Sequence, residues 1–245
     1  MKVYIGYDPR DHDAYKVCAH TILEHSPDAE IVPLKDWELR AQGAYWRSYK
    51  VDERGQMWDD RDGRPFSTQF SFTRFAVPIL ERKTSDWVLF CDADMMFKRD
   101  INTLLDEVDS SKALYCVQHN HQPTEAVKMD GVLQTSYNRK NWSSFMLMRP
   151  SALTGMTPFV LNNWEGSRLH GLTWVDNEMI GALDPRWNHL VGYDDEVIDP
   201  YNVHFTLGTP DMSHYTASRF DGEWWDALDR AKKGLRDAPK TVLRD

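Results

Sequence analysis

The chain opens on a short β-prone run, Val3-Tyr4-Ile5-Gly6-Tyr7, which Asp8-Pro9 stops. Behind it Ala14, Val17, Cys18, Thr21 and Ile22 recur at helical spacing, so a helix is predicted, capped by Asp11 and ended by Ser26-Pro27. Ile31-Val32-Pro33-Leu34 predicts a second strand. Strand, helix and strand in that order favour a parallel sheet covered by helices. Residues 35–65 break the rhythm: Trp37, Trp46 and Trp58 stand among many charges, and Asp59-Asp60-Arg61-Asp62-Gly63-Arg64-Pro65 closes them as a turn. Such a stretch inside a compact domain is usually functional or mobile. Ser67 or Thr68 then caps a helix with an apolar stripe of Phe72, Phe75, Ala76, Ile79 and Leu80. Ser67, Ser71 and Arg74 share its polar face, and Pro78 leaves its end open.

Asp86-Trp87-Val88-Leu89-Phe90-Cys91 has the apolar run of a buried strand and leads straight into Asp92-Ala93-Asp94. Residues 113–117 and 142–148 predict further strands, the latter stopped by Arg149-Pro150. Residues 118–141 form a polar loop by composition, and 151–164 and 174–183 are expected to include helices. Val203-His204-Phe205-Thr206 is a late strand followed by the turn Leu207-Gly208-Thr209-Pro210. The expected fold class is α/β: a single Rossmann-like domain over residues 1–220, with a mixed, mostly parallel sheet flanked by helices. Residues 35–65 and 118–141 are insertions, and 221–245 a C-terminal helical extension.

Composition narrows the partners. With 41% hydrophobic and 27% charged residues the chain is globular, which excludes disorder over most of its length. No run reaches the ~18 apolar residues that cross a bilayer. An acid at Asp8 comes too early for a signal peptide. The net charge of −9 argues against nucleic acid as the main partner. Cys18, Cys91 and Cys116 are widely spaced and make no CxxC, so buried thiols in a reducing, cytoplasmic setting are expected. Trp224-Trp225 opens a helix in a segment with six acids and six Lys+Arg. A membrane-surface helix is normally net basic, so membrane contact is at most peripheral.

Asp92-Ala93-Asp94 is the first candidate for chemistry. Residues two apart in an extended chain face the same side, so both carboxylates can converge on one hard cation. Open α/β sheets also bind ligands beyond the carboxyl ends of their strands. Asp-x-Asp is common in turns; its place after a buried strand raises it. Asp8 ends the first strand, on the same edge if the sheet is parallel, although Asp before Pro is also a turn former. His204 sits near the end of a late strand, where an imidazole can complete a Mn²⁺-type site. A lone His is more commonly structural, and an Arg such as Arg74 on a helix face is more commonly solvated. His119-Asn120-His121 is a weaker metal pair in a polar loop.

Taken in order, Gly6-Tyr7-Asp8, Ser71-Phe72-Thr73-Arg74-Phe75, Asp92-Ala93-Asp94 and Val203-His204-Phe205-Thr206-Leu207-Gly208 resemble a GT-A-fold glycosyltransferase of the family-8-like group. That group includes bacterial galactosyltransferases and glycogenin-type enzymes. Trp142-Ser143-Ser144, Trp174-Val175-Asp176-Asn177-Glu178 and Pro185-Arg186-Trp187-Asn188 are similar to a bacterial subgroup of glycosyltransferases. The likeness spans roughly residues 2–210.

The resemblance implies a hexosyltransferase-like enzyme that needs Mn²⁺ or Mg²⁺. It would move a sugar from a nucleotide-sugar donor to a saccharide or other hydroxyl acceptor, with retention of configuration. Asp8 would contact the base, with Gly6 and Tyr7 lining the same pocket; a carboxylate matches the N3–H of uracil, so UDP is the first choice. Arg74 would meet the donor phosphate or sugar. Asp92 and Asp94 would hold the metal and touch the donor, and His204 would be the third protein ligand. Asp176, Asn177 and Glu178 would lie beside the anomeric carbon, although acids also suit the first turn of a helix. The family often follows its His and Gly with Lys-Pro-Trp, whose Lys helps to hold the diphosphate. Here Gly208-Thr209-Pro210-Asp211-Met212 has no Lys, which leaves Arg10, Arg74 and Arg219 as substitutes. Two rival readings remain: a nucleotide- or sugar-binding module of the same fold, and an aspartyl-phosphate phosphohydrolase. The latter normally carries Thr where Met96 stands.

Overall fold

The computed structural model describes residues 1–120, 139–194 and 198–237. Strand β1 (Lys2–Tyr7) leads through a 3-10 turn (Pro9–Asp11) into helix α1 (His12–His25) and strand β2 (Glu30–Lys35). Helix α2 (Asp36–Ala41) and strands β3 (Tyr49–Val51), β4 (Met57–Asp59) and β5 (Pro65–Phe66) follow. Helices α3 (Phe70–Thr73) and α4 (Val77–Leu80) precede β6 (Val88–Cys91), β7 (Met95–Phe97), β8 (Leu114–Cys116) and β9 (Phe145–Met148). Helices α5 (Pro158–Asn163) and α6 (Gly166–His170) come next, then β10 (Ile180–Ala182), β11 (His189–Leu190), β12 (Asn202–His204) and helix α7 (Asp221–Asp237).

The main sheet has the order β10-β8-β9-β6-β1-β2. β1 pairs in parallel with β2 and β6, and β10 with β8; β9 runs antiparallel to both β6 and β8. Both faces are covered, and the strand residues alternate between two cores. Val3, Ile5, Leu89, Cys91, Phe145 and Leu147 pack on the face of Cys18 and Ile22 from α1. Tyr4, Val88, Phe90, Met146 and Met148 pack with Phe72, Phe75, Leu161 and Leu169 on the other. A strand buried on both sides must be apolar at every position, which is why Val88-Leu89-Phe90-Cys91 shows no alternation.

This topology fixes one functional edge. Asp8 and Asp92 follow the carboxyl ends of parallel neighbours, with Ile5 opposite Cys91. Because β9 is reversed, its beginning reaches the same edge, and Cys91 stands opposite Phe145, just after Ser143-Ser144. Residue 204 arrives by another route. The chain leaves the main sheet after β6, and β7, directly after Asp94, joins a second sheet, β11-β12-β7, in which His204 pairs with Met95. His204, expected near the end of a late strand, does end β12, and that strand belongs to this second sheet.

Other expectations change. Residues 35–65 are built: α2 and the antiparallel sheet β3-β4-β5 occupy them. Buried Arg47 ties this unit to the body, binding Asp59 at 2.5 Å and the carbonyls of Leu161 and Trp164. The helix expected from Ser67 starts at Phe70 and tightens to a 3-10 turn over Arg74–Ala76. Pro78 has no N–H to offer the Arg74 carbonyl, and the Val77 N–H takes it instead. Asp11 makes no side-chain cap; Asp8 caps the preceding turn through the Arg10 N–H at 3.0 Å. The segment expected to begin a helix at Trp174 forms a 3-10 turn (Asn177–Met179) and then β10, whose parallel pairing with β8 overrides the first-turn acids. Helix α7 lies on α1 through Arg230–Glu24 and Lys232–Asp13. Trp224 is buried there and Trp225 is exposed. His121 and residues 238–245 fall outside the described residues, as does most of the 118–141 loop. Among the described residues no helix is long and apolar enough to cross a membrane.

Candidate metal and donor site

Asp92, Asp94 and His204 each offer one ligand atom, and the three atoms lie within 4.8 Å of one another. The tight turn between β6 and β7 supplies both carboxylates. His204 is brought in by the β7–β12 pairing, extended by the Phe205 N–H to the Asp94 carbonyl at 2.9 Å. Its Nε2 stands 3.3 Å from Asp94 Oδ1, and its Nδ1 meets Asn188 Oδ1 at 2.9 Å. Two carboxylate oxygens and one imidazole nitrogen suit a hard-to-borderline divalent cation such as Mn²⁺ or Mg²⁺.

Asp94 stands at the junction of two depressions. One is lined by Asp92, Arg74, Ser143, His170, Lys140 and Phe70. The other is lined by Arg10, Arg54, Gly208, Thr206 and His214. Both share the Ser67-Thr68 segment; Asp62, Arg64 and Pro65 also line the first and Arg54 and Gly55 the second, so the apparently patternless insertion builds a wall of the site. Gly208 closes the second depression with φ +130°, a backbone angle that side chains disfavour.

The predicted residues are distributed unevenly. Arg74 is buried rather than solvated: its Nη2 pairs with Asp92 Oδ1 at 3.0 Å, Nη1 donates to the Ser143 carbonyl and Nε to the Phe70 carbonyl. Asp8 is fully buried, and protein donors occupy both its oxygens: Arg10 Nε and Nη2 at 3.0 and 2.6 Å, and the Gln69 N–H at 2.9 Å. Burial alone would raise its carboxyl; the Arg10 guanidinium and the two backbone amides outweigh that and hold it below its ordinary value. Thus it is Arg10, half exposed, that faces the depression. Gly6 does not line either depression. It lets Phe70 approach, since a Cβ there would sit 2.6 Å from that ring. Tyr7 joins an aromatic group with His12, Tyr15 and Trp37.

Asp176, Asn177 and Glu178 are exposed and are not among the residues lining the two depressions. Asn177 Oδ1 accepts from Arg139 at 2.6 Å, one residue before the cleft-lining Lys140. Residues that the sequence did not single out stand closer. His170 packs between Phe72 and Phe75, with Nδ1 2.9 Å from Ser143 Oγ. Burial, helped by Arg74, Lys140 and Arg47, lowers its pKa well below the ordinary value, so it is neutral at neutral pH. No local pattern marks a histidine of this kind; it becomes visible only when α6 lies against α3.

Over 242 residues the chain is 37% identical to Protein CDI of Arabidopsis thaliana, covering 95% of this chain and 88% of that protein. No family model matches. The glycosyltransferase GlyE of Streptococcus pneumoniae TIGR4 superposes with TM-score 0.57 and 16% identity, over 96% of this chain and 62% of GlyE. The chain thus spans less than two thirds of that protein. The galactosyltransferase LgtC, solved with donor and acceptor sugar analogues, gives TM-score 0.56 and 10% identity over 94% of this chain and 96% of LgtC. The bifunctional glycosyltransferase WbbM gives 0.53 and 14%, over 93% of this chain and 51% of WbbM. At such identities the likeness shows the fold, which is the mixed α/β GT-A fold of glycosyltransferases.

Proposed function

The chain belongs to the Protein CDI family, and we propose that it transfers a sugar from a nucleotide-diphosphate donor to a hydroxyl acceptor, in a metal-dependent reaction. One observation carries this reading: Asp92, Asp94 and His204 converge within 4.8 Å at the functional edge of a glycosyltransferase fold. A divalent cation bound there would neutralise the charge that develops on the leaving diphosphate. Asp94, at the junction, separates a nucleotide side from a sugar side. On the nucleotide side Arg10, held by Asp8, takes the place of the Lys that follows the His and Gly in family-8-like glycosyltransferases. Of the other two substitutes, Arg74 has its guanidinium engaged by the protein, and Arg219 lies over Phe220. On the sugar side His170, neutral, offers hydrogen bonding to donor hydroxyls without adding charge.

UDP is the proposed nucleotide. Its N3–H reaches Asp8 only where Arg10 gives up part of its hold, which frees the guanidinium for the diphosphate. Retention remains part of the reading, with Asp176 and Asn177 acting near the reacting carbon through the wall that contains Arg139 and Lys140. The buried thiols of Cys18, Cys91 and Cys116 support a reducing, cytoplasmic location. The missing Lys and the exposed Asp176–Glu178 segment favour one alternative, a module that binds the donor without transferring it.

A thermal-shift screen of nucleotide sugars with and without Mn²⁺ tests the proposal. A UDP-sugar that stabilises wild type only with Mn²⁺, and no longer stabilises Asp94→Asn, is the expected result. Unchanged Mn²⁺-dependent binding in that variant would remove the DxD from the site. Slow donor hydrolysis with Mn²⁺ distinguishes the enzyme from the binding module, and NMR of the product anomer decides retention.

A further inference from the structure

A chain of hydrogen bonds with a fixed polarity runs behind His204. It starts at the main-chain carbonyl of Asn141, which can only accept. Ser144 Oγ donates to it at 2.7 Å, which uses the only hydroxyl proton. The same oxygen is then an acceptor, and Asn188 Nδ2 donates to it at 3.0 Å. That orients the Asn188 amide, so its carbonyl oxygen is the atom facing His204 Nδ1 at 2.9 Å. An amide oxygen can only accept, so Nδ1 must carry a hydrogen. In the neutral ring Nε2 is left with its lone pair, and Nε2 is the atom directed at Asp94.

Asn188 is fully buried and Ser144 almost so. Ser144 also touches the other arm of the site, since its main-chain carbonyl accepts the Asp92 N–H at 2.9 Å. One residue just before β9 thus braces the carboxylate arm through its backbone and the imidazole arm through its hydroxyl.

We infer that Asn188, oriented by Ser144, is a positioning residue that holds His204 in the Nδ1–H tautomer and so presents Nε2 to a cation beside Asp92 and Asp94. The consequence for metal binding rests on the proposed metal-dependent function; the tautomer does not. Groups that orient a ligating imidazole typically carry about 10–100-fold in metal affinity.

The experiment is a long-range ¹H–¹⁵N correlation spectrum of metal-free protein at pH 8, with His204 assigned from its loss in His204→Gln, followed by calorimetric titration with Mn²⁺ alone. Wild type is expected in the Nδ1–H form. Asn188→Asp keeps an acceptor at that position and retains both tautomer and affinity. Asn188→Leu removes the acceptor, loses the tautomer preference and weakens Mn²⁺ by about 10–100-fold. A wild-type His204 protonated at Nε2 overturns the inference, as does Asn188→Leu with unchanged tautomer and affinity. Should the leucine variant fail to fold, Asn188→Asp decides: loss of the tautomer there rejects the acceptor role. Wild type that binds no Mn²⁺ rejects the metal reading alone, and the spectrum still judges Asn188.

Discussion

Arg74 Nη2 lies 3.0 Å from Asp92 Oδ1, and both side chains are almost entirely buried. The remaining guanidinium nitrogens reach Phe70 and Ser143, so one side chain joins α3, the end of β6 and the start of β9. The DxD motif is thus held from behind by a buried cation as well as by its own turn.

Removing that cation leaves a buried carboxylate uncompensated. Arg74→Met is expected to cost about 3–5 kcal/mol of stability in chelator, measured by urea unfolding. Adding Asp92→Asn should recover part of the loss, because it neutralises the stranded charge. Equal loss in the single and double variants would show that packing, not charge, is what Arg74 supplies.

Arg10 is assigned to the diphosphate, so its loss should separate UDP from uridine. Arg10→Ala is expected to weaken UDP about 10-fold, the scale of one partly exposed charge-assisted hydrogen bond. Uridine affinity should change little or improve, since Asp8 is uncovered. Calorimetry with both ligands and Mn²⁺ checks this, and an unchanged UDP affinity would return Arg10 to a purely structural role.

His170 imposes a pH dependence of known sign. Its folded pKa lies below the ordinary 6.5, so the unfolded chain takes up the proton first as pH falls. Stability from this group is complete above pH ~6.5 and declines below it, by at most about 1.4 kcal/mol per pH unit, until the folded pKa is passed. Urea unfolding at pH 7.5 and 5.5, about one pH unit either side of the ordinary 6.5 of the unfolded chain, should show wild type losing more than His170→Gln. Parallel behaviour of the two proteins would mean that the ring is solvated.

Gly6 gives a steric prediction. A methyl group there meets Cδ2 and Cγ of Phe70 at 2.6 Å, and Phe70 lines the depression proposed for the donor sugar. Gly6→Ala should therefore cost about 1–3 kcal/mol and weaken donor binding together. Phe70→Leu in the same chain should restore much of the stability, which a melting curve can follow.

The apolar runs of β1, β6 and β9 and the periodicity of α1 were legible because burial leaves a local signature. Strands covered on both faces become continuously apolar, and a helix on a sheet repeats every three to four positions. The DxD was legible for the same reason, since the end of such a strand marks the ligand-binding edge. Residues 174–183 misled because acids in a first turn suit a helix, whereas pairing of Ile180–Ala182 with β8 is a long-range contact with no trace in the local pattern.

By itself, then, the sequence determined which segments are buried and that two carboxylates follow one of them. Tertiary structure alone decided that His204 reaches them through a second sheet and that Arg10 covers Asp8. It also decided that Asn188 and Ser144 stand behind the imidazole and that His170 enters the cleft. Arg10 and Asp8 are only two residues apart, but the Ser67 carbonyl and Gln69 N–H that hold the pair are distant in the chain, as are the partners of the other three. A polar side chain's role is set by the partner it finds, and the partner is chosen only when the strands have taken their order.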